Sequence, residues 1–466
     1  MKNLTVQKIL EVTDGELLIG NKDFICENFC RDTRIIKKGD TYIGINGEKF
    51  NGGSFWKEAF DNGAECVIVS NIEISANEIE QYKDKTIIKV GDTSKALWKI
   101  AKAKRDLYKI PVIAVTGSVG KTSTKDIVAS VVSQKYKTLK TIGNNNNQIG
   151  LPFTILRLKD EEAIVLEMGM NHFGEISLLT DIAKPDICII TNIGTSHIGN
   201  LGSRENILKA KLEILEGSKN HVVVINNDND LLHKWYEENK EKMEIHTYGI
   251  NEKSDINASD ILLKSDGSKF TANVYNNKHE VNVPVGGEHF VLNALCAITV
   301  GEILNIETNK ILKGISKFEL TKNRMDISER NGITVINDAY NASLESMKAS
   351  LKYLAEFNNK RKIAILGDMF ELGEYAKELH KKVGAEIHKN NIDILFCCGE
   401  NSKYIIDQAE AEGMNKDNIY YMKSQEEIVQ KVRKIAKQGD VILVKASNGM
   451  KFYELPEKIL SCSGKK

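Results

Sequence analysis

Lys121 and Thr122 follow two glycines, Gly117 and Gly120, in the string IAVTGSVGKTSTK from Ile113 to Lys125. The apolar start, the glycines and the Lys-Thr-Ser-Thr run read as a buried strand, a turn and the opening of a helix. Backbone N–H groups of such a turn converge on phosphate oxygens at the positive end of the helix dipole. Lys121 would supply a point charge for the terminal phosphates, and the Thr122 hydroxyl a ligand for Mg²⁺. The spacing therefore makes Thr116, Gly117, Ser118, Val119, Gly120, Lys121, Thr122 and Ser123 candidate nucleotide-binding residues. The general phosphate-loop pattern has a glycine five places before Gly120; this chain has Val115, so the loop is the shorter TGxxGKT form.

Other polar residues fall at the ends of apolar runs. AIVLEM carries Glu167, which is costly to bury without a cation or a hydrogen-bond network, and a Mg²⁺ shared with Thr122 meets that demand. ICIITNIGTSH runs out into Asn192 and His197. The four asparagines Asn144, Asn145, Asn146 and Asn147, flanked by glycines, form either a solvated loop or a substrate contact. ENILKAKLEILEG reads as a helix in which the charge pattern does not separate Lys211 from a solvent-facing Lys209. His289 fits a helix start as well as a ligand contact. In the last third, Asp338, Tyr340 and Asn341 end one apolar strand, and Gly367, Asp368 and Met369 end another.

These groups need elements to hold them. Residues 1–109 read as a small α/β unit with strands in ENFCRDTR, GDTYIGI, CVIVS and TIIKV. Helices are expected over GSFWKEAFDNGA and SKALWKIAKAKRDLYKI. Arg31 and Arg34 there are candidates for a phosphate or for surface ion pairs. Residues 110–320 alternate strands (VIAVT, AIVLEM, ICIITNI, HVVVIN) with helices, the pattern of a parallel sheet covered on both faces. Within them, residues 247–285 form a β-rich excursion, an antiparallel meander or an inserted hairpin layer. Residues 321–466 repeat the α/β rhythm with GITVINDAY, KIAILGDM, ILFCCG and GDVILVKAS, and Asn341 and Ser343 are able helix caps before LES. The expected fold class is α/β with three domains: a small N-terminal domain, a central phosphate-loop sheet and a Rossmann-like C-terminal domain.

Composition narrows the function. The 466 residues contain 64 Lys+Arg and 64 Asp+Glu, so net charge gives no support to a nucleic-acid or anionic-membrane partner. No apolar run approaches the about 18 residues of a membrane span, and MKNLTVQKIL lacks the apolar core of a secretory signal. Eight scattered cysteines (Cys26, Cys30, Cys66, Cys188, Cys296, Cys397, Cys398, Cys462) form no metal-type pair of pairs. Reduced thiols and a cytoplasmic location are expected.

Taken together, TGSVGKTSTK, GNNNNQIGLP, EMGMNHFGEI, TNIGTSHIGNLGS with AKLEI, NRMDI, NDAYNASLESM and GDMFELG followed by His380 resemble the Mur ligase family over nearly the whole chain. The resemblance implies an ATP-dependent ligase that joins D-alanyl-D-alanine to UDP-N-acetylmuramoyl-tripeptide through an acyl phosphate. It implies a nucleotide-sugar domain, a central ATPase and a C-terminal domain for the dipeptide, in a cytoplasmic monomer. By the same resemblance Lys211 is carbamylated and, with Glu167, His197 and Thr122, holds two Mg²⁺ ions. Asn293, Asn323, Arg324, Asp338 and Tyr340 match the region around ATP. Asn145 and Asn146 lie by the reacting carboxylate and phosphate, so Lys121, Lys211, His197, Asn145 and Asn146 form the implied catalytic set. Substrate contacts are assigned to Thr33, Arg34, Asn341, Ser343, Asp368, Lys445 and Asn448.

The chain departs from the family pattern at several points. Leu344 stands where proline usually follows DAYNAS, which removes a rigid residue from the helix start. RDTR has Thr33 for serine, and NGGSF has Asn51 and Gly53 where aspartate and histidine are common. Ala446 and Asn448 replace a glycine and an arginine, and a lost guanidinium bears on how a dipeptide carboxylate is held, with Lys445 the nearest base. The rival readings are a sister ligase adding one amino acid, a ligase with an altered acceptor, and a phosphate-loop switch that ligates nothing.

Overall fold

The computed structural model describes residues 4–47, 50–275 and 277–461. Cys462 lies outside the described residues, and the other seven cysteines are free thiols. Three α/β sheets follow one another along the chain, with a small two-stranded ribbon (Leu4–Thr5 with Ile25–Cys26) beside the first.

The first sheet has five strands in the order Glu16–Ile19, Thr86–Lys89, Cys66–Val69, Thr41–Ile43, Phe29–Cys30, parallel except for the first. The expected helix over GSFWKEAFDNGA is two pieces, a 3₁₀ turn Gly52–Phe55 and the helix Trp56–Asp61, because paired glycines carry little helix propensity. Asp92 caps the helix Thr93–Asp106, which leads into the second unit.

The second sheet has nine strands. Its parallel core runs Ile245–Gly249, Val222–Asn226, Ile187–Ile190, Val112–Thr116, Ala163–Glu167, Thr138–Lys140. The last is an edge strand that the three-residue mixed sequence Thr-Leu-Lys does not announce. Val112–Thr116 and Ala163–Glu167 are buried along their full length, as strands covered on both faces must be. The β-rich excursion is a meander of three strands, Ile256–Lys264, Gly267–Val274 and Asn277–Val283. It extends this same sheet through Ile256–Lys264, which pairs with Ile245–Gly249. The helix Glu288–Ile303 is apolar around most of its circumference and packs between the sheet and the helix Lys121–Val132.

The third sheet has six strands in the order Asp326–Arg330, Ile333–Asn337, Val441–Lys445, Lys362–Gly367, Ile394–Cys398, Ile419–Met422, with an antiparallel first pair. Ser343 caps the helix Leu344–Ala355 through a reciprocal bond with Ser346. The helix thus starts firmly with Leu344 in its first position, and the missing proline is compensated by the cap. Where the second and third units meet, Asp126 of the phosphate-loop helix accepts the Thr321 hydroxyl at 2.8 Å.

Candidate active site

Ligands of open parallel sheets bind beyond the carboxyl ends of the strands. Sheet register places three of the polar ends side by side: Glu167 is paired with Val115, and Ile190 with Thr116. The loop after Thr116 is clamped to the neighbouring strand end. Ser118 N–H donates to the Asn192 carbonyl at 3.0 Å, Val119 N–H to Asn192 Oδ1 at 2.9 Å, and Gly194 N–H to Ser118 Oγ at 2.9 Å. Gly117 has φ +149° and a Cβ there would collide with Thr191 Oγ1; Gly120 has φ +80° and opens the helix Lys121–Val132. Both conformations favour glycine, and they leave the first-turn N–H groups of the helix facing the cleft.

Lys121 is folded back over this loop, its ammonium donating to the Gly117 carbonyl at 2.7 Å. Burial holds its pKa below the usual lysine range, the Glu167 charge opposes that, and Arg324 adds to it. An anion bound here relieves a buried cation. Thr122 Oγ1 donates to Glu167 Oε2 at 2.8 Å, and Asn146 Nδ2 to Glu167 Oε1 at 2.7 Å. Thr124 Oγ1 donates to Asn293 Oδ1 at 2.9 Å, which leaves the buried Asn293 Nδ2 without a partner among the described residues. Arg324 Nε is likewise buried and unpartnered, while its guanidinium lies 4.0 Å from the Tyr340 ring centroid. Two orphaned donors beside a phosphate loop fit a ligand rich in acceptors.

The cavity has a volume of 480 Å³ and is walled by both the second and the third unit. On its wall stand Ser118 to Ser123, Asn146, Glu167, His197, Asn293, Arg324, Asp338, Tyr340, Asn341, Ser343 and Lys445. Lys445 donates to Asp338 Oδ2 at 2.5 Å and to the Asn341 carbonyl at 3.1 Å. Ser350 completes the Asp338 carboxylate at 2.7 Å. Glu345, which the sequence did not single out, accepts from Thr195 N–H at 2.9 Å and so ties the two units together. His289 also lines the cavity, with burial pushing its pKa down to about 4, so it is neutral there.

Lys211 sits on the helix Arg204–Leu212 with a side chain buried behind the cavity wall. Its ammonium has no hydrogen-bond or ion-pair partner among the described residues. Burial, and then the Lys121 charge, lower its pKa well below the lysine range. Helical charge pattern hid this, because burial of one lysine among several is decided by what packs on the helix.

Several expected site residues lie off this wall. Thr33 donates to Glu58 at 2.5 Å and Arg34 pairs with Asp32 at 2.6 Å, both within the first unit. Arg31 packs over the Phe153 ring. Asn145 is set back while Asn144, Asn146 and Asn147 face the cavity. Asn323 accepts from Asn337, and Thr116 Oγ1, at the end of the strand Val112–Thr116, donates to the Met168 carbonyl. Asp368 accepts the N–H groups of Asn401 and Ser402, the work of a turn cap. Asn448 donates to the Tyr340 carbonyl at 3.0 Å and so anchors the backbone under Arg324.

Three family models match in order along the chain: "Mur ligase family, catalytic domain" over residues 30–105, "Mur ligase middle domain" over 115–301 and "Mur ligase, glutamate ligase domain" over 323–448. UDP-N-acetylmuramoyl-tripeptide–D-alanyl-D-alanine ligase of Bacillus subtilis is 37% identical over 463 residues, covering 98% of each chain. The chain belongs to the Mur ligase family. Its Escherichia coli relative of the same name is 30% identical, over 87% of this chain and 88% of that one. Among solved Mur ligases, MurF from Acinetobacter baumannii superposes with a TM-score of 0.87 at 28% identity, over 98% of this chain and 99% of that chain. MurF from Thermotoga maritima, solved in complex with ADP, gives 0.82 at 28% identity over 95% and 99%. In this Mur ligase the family departure at Gly53 is steric: a Cβ would lie 2.7 Å from the Ser70 carbonyl oxygen, so a histidine does not fit. Among the described residues no helix is long and apolar enough to cross a membrane.

Proposed function

We propose that this chain is the ATP-dependent ligase that joins the amine of D-alanyl-D-alanine to the free carboxylate of UDP-N-acetylmuramoyl-tripeptide. The observation that carries the reading is the single cavity shared by the phosphate loop, Asn146 and the Asp338–Ser346 segment of the third unit. The Bacillus subtilis relative bearing that name aligns over 98% of the chain. Residues 1–109 would hold the nucleotide sugar, 110–320 the ATP, and 321–466 the dipeptide, in a cytoplasmic monomer.

A carboxylate oxygen of the tripeptide attacks the γ-phosphorus of ATP, the bond to the β,γ-bridging oxygen breaks, and ADP leaves. The amine then attacks the acyl carbon, loses a proton, and the carbon–oxygen bond to phosphate breaks. Lys121 and Arg324 offset the charge of two anions brought together, and the first-turn N–H groups of the helix Lys121–Val132 hold the phosphoryl oxygens. Asn146, fixed by Glu167, presents its amide to the reacting carboxylate. Asn341 and Ser343 line the acceptor side. Lys445 is committed to Asp338 and Asn341, so it shapes that side rather than replacing the family arginine.

Thr122 and Glu167 are oxygen donors that fit a hard divalent ion, Mg²⁺. By the family resemblance His197 and Lys211 would hold a second Mg²⁺ once the Lys211 amine, which burial keeps uncharged, adds CO₂ and releases a proton to become a carbamate. Bound there, the ions would neutralise phosphate charge. The test is phosphate release from ATP and Mg²⁺ with the tripeptide nucleotide, with and without D-alanyl-D-alanine. Release that requires the dipeptide, one amide per phosphate, supports the reading; release indifferent to it contradicts it.

A further inference from the structure

His197 and Glu371 face each other across the junction of the second and third units. His197 Nδ1 lies 2.5 Å from Glu371 Oε2. Both are non-glycine residues in the left-handed region, with φ 64° and 62°. Such conformations persist only where the surroundings fix them, and here they are fixed from both sides. Gly199 N–H donates to the Glu371 carbonyl at 3.0 Å, and Tyr375 Oη to the Gly202 carbonyl at 2.7 Å. The turn carrying Glu371 is braced from behind: His380 Nε2 accepts the Met369 N–H at 3.0 Å, and Ser447 Oγ accepts the Phe370 N–H at 2.9 Å. His380, a family-motif residue without a place in the cavity, is thereby explained.

We propose that Glu371 is a positioning residue that sets the ring orientation and tautomer of His197 when the third unit closes on the second. An ionised carboxylate only accepts, so Nδ1 must carry the proton and donate it. In the neutral ring the other nitrogen, Nε2, then keeps its lone pair, and the ring lines the cavity. Because Glu371 belongs to the unit that carries Asp338 to Ser346, His197 is oriented only in the arrangement that also brings up the acceptor side. This inference rests on the ligase reading of the cavity.

The experiment uses full-length protein with ¹⁵N-histidine, its His197 signal assigned by loss in His197→Asn, and two variants. Glu371→Gly removes the side chain without strain at a left-handed position. Glu371→Gln keeps an acceptor for Nδ1–H. The expected wild-type signal is the Nδ1–H tautomer, shifted toward Nε2–H in Glu371→Gly and retained in Glu371→Gln. In parallel, Glu371→Gly should lower kcat about 10- to 100-fold, with KM for ATP changed less than about threefold, and Glu371→Gln should restore most of it. An unchanged tautomer in Glu371→Gly, or equal damage in both variants, overturns the proposal. Absence of dipeptide-dependent turnover in the wild type would instead overturn the ligase reading, while the ring-nitrogen signal still decides the role of Glu371.

Discussion

Thr122 Oγ1 donates to Glu167 Oε2 at 2.8 Å, joining the start of the phosphate-loop helix to the end of the adjacent strand across 45 residues of chain. The other carboxylate oxygen takes Asn146 Nδ2 at 2.7 Å. One buried carboxylate thus organises the phosphate loop, the asparagine loop and the strand edge at once. Its charge is answered by donors on both oxygens and by Lys121 nearby.

Glu167→Gln should therefore cost activity far more than stability. An amide NH₂ replaces one acceptor and faces a donor, so stability should fall by about 1–3 kcal/mol. The lost charge should lower kcat about 100-fold or more, by analogy with removal of a preorganised electrostatic group. Steady-state kinetics beside thermal melts check this, and near-wild-type kcat would remove Glu167 from the chemistry.

Lys211→Met should abolish ligation yet raise the melting temperature at neutral pH in bicarbonate-free buffer, since a buried amine that must shed its proton on folding is replaced by an isosteric apolar chain. The pH dependence has a definite sign. The folded-state pKa is depressed below the unfolded value of about 10.4, so between the two the unfolded chain binds more protons and wild-type stability rises with pH. The advantage of Lys211→Met should accordingly shrink as pH climbs toward 10. Melts across that range, with equal slopes for both proteins, would show that folding does not depress the Lys211 pKa.

The phosphate loop, the parallel core and the strand-end polar groups were legible because each is a local pattern: a run of apolar residues that stops at glycine or at a carboxylate. The meander was legible from its twofold alternation, although its attachment to the central sheet was not. Glu345 and Glu371 were illegible as site residues because each acts across a contact 150 or more residues away in sequence. Asp368 was misleading for the opposite reason. A carboxylate at a strand end looks like a ligand group, and here it is spent on the N–H groups of Asn401 and Ser402. Lys211 stood out only through family resemblance, since burial is a property of packing.

The start of the helix Leu344–Ala355 is set by its cap and not by the first helical residue. Ser343→Ala should destabilise the protein by about 1 kcal/mol, whereas Leu344→Pro, which restores the family residue at a position that tolerates proline, should change stability by about 1 kcal/mol or less. Denaturant titration of both variants checks the order, and a larger loss in Leu344→Pro would reverse it.

Arg324 lies over Tyr340 with a buried Nε that has no partner among the described residues, which leaves that donor for a ligand. Arg324→Ala should raise KM for ATP about tenfold, equivalent to 1.4 kcal/mol, and leave KM for the dipeptide within about twofold. An equal rise in both would indicate impaired closure of the two units instead.

The central claim is that ATP activates the tripeptide as an acyl phosphate in this cavity. The most direct measurement follows ¹⁸O from a tripeptide nucleotide labelled in both oxygens of its free carboxylate, with ATP, Mg²⁺ and D-alanyl-D-alanine. The account predicts one labelled oxygen in the inorganic phosphate and one in the new amide carbonyl for each bond formed. Label appearing in AMP, or phosphate free of label while amide accumulates, would contradict it.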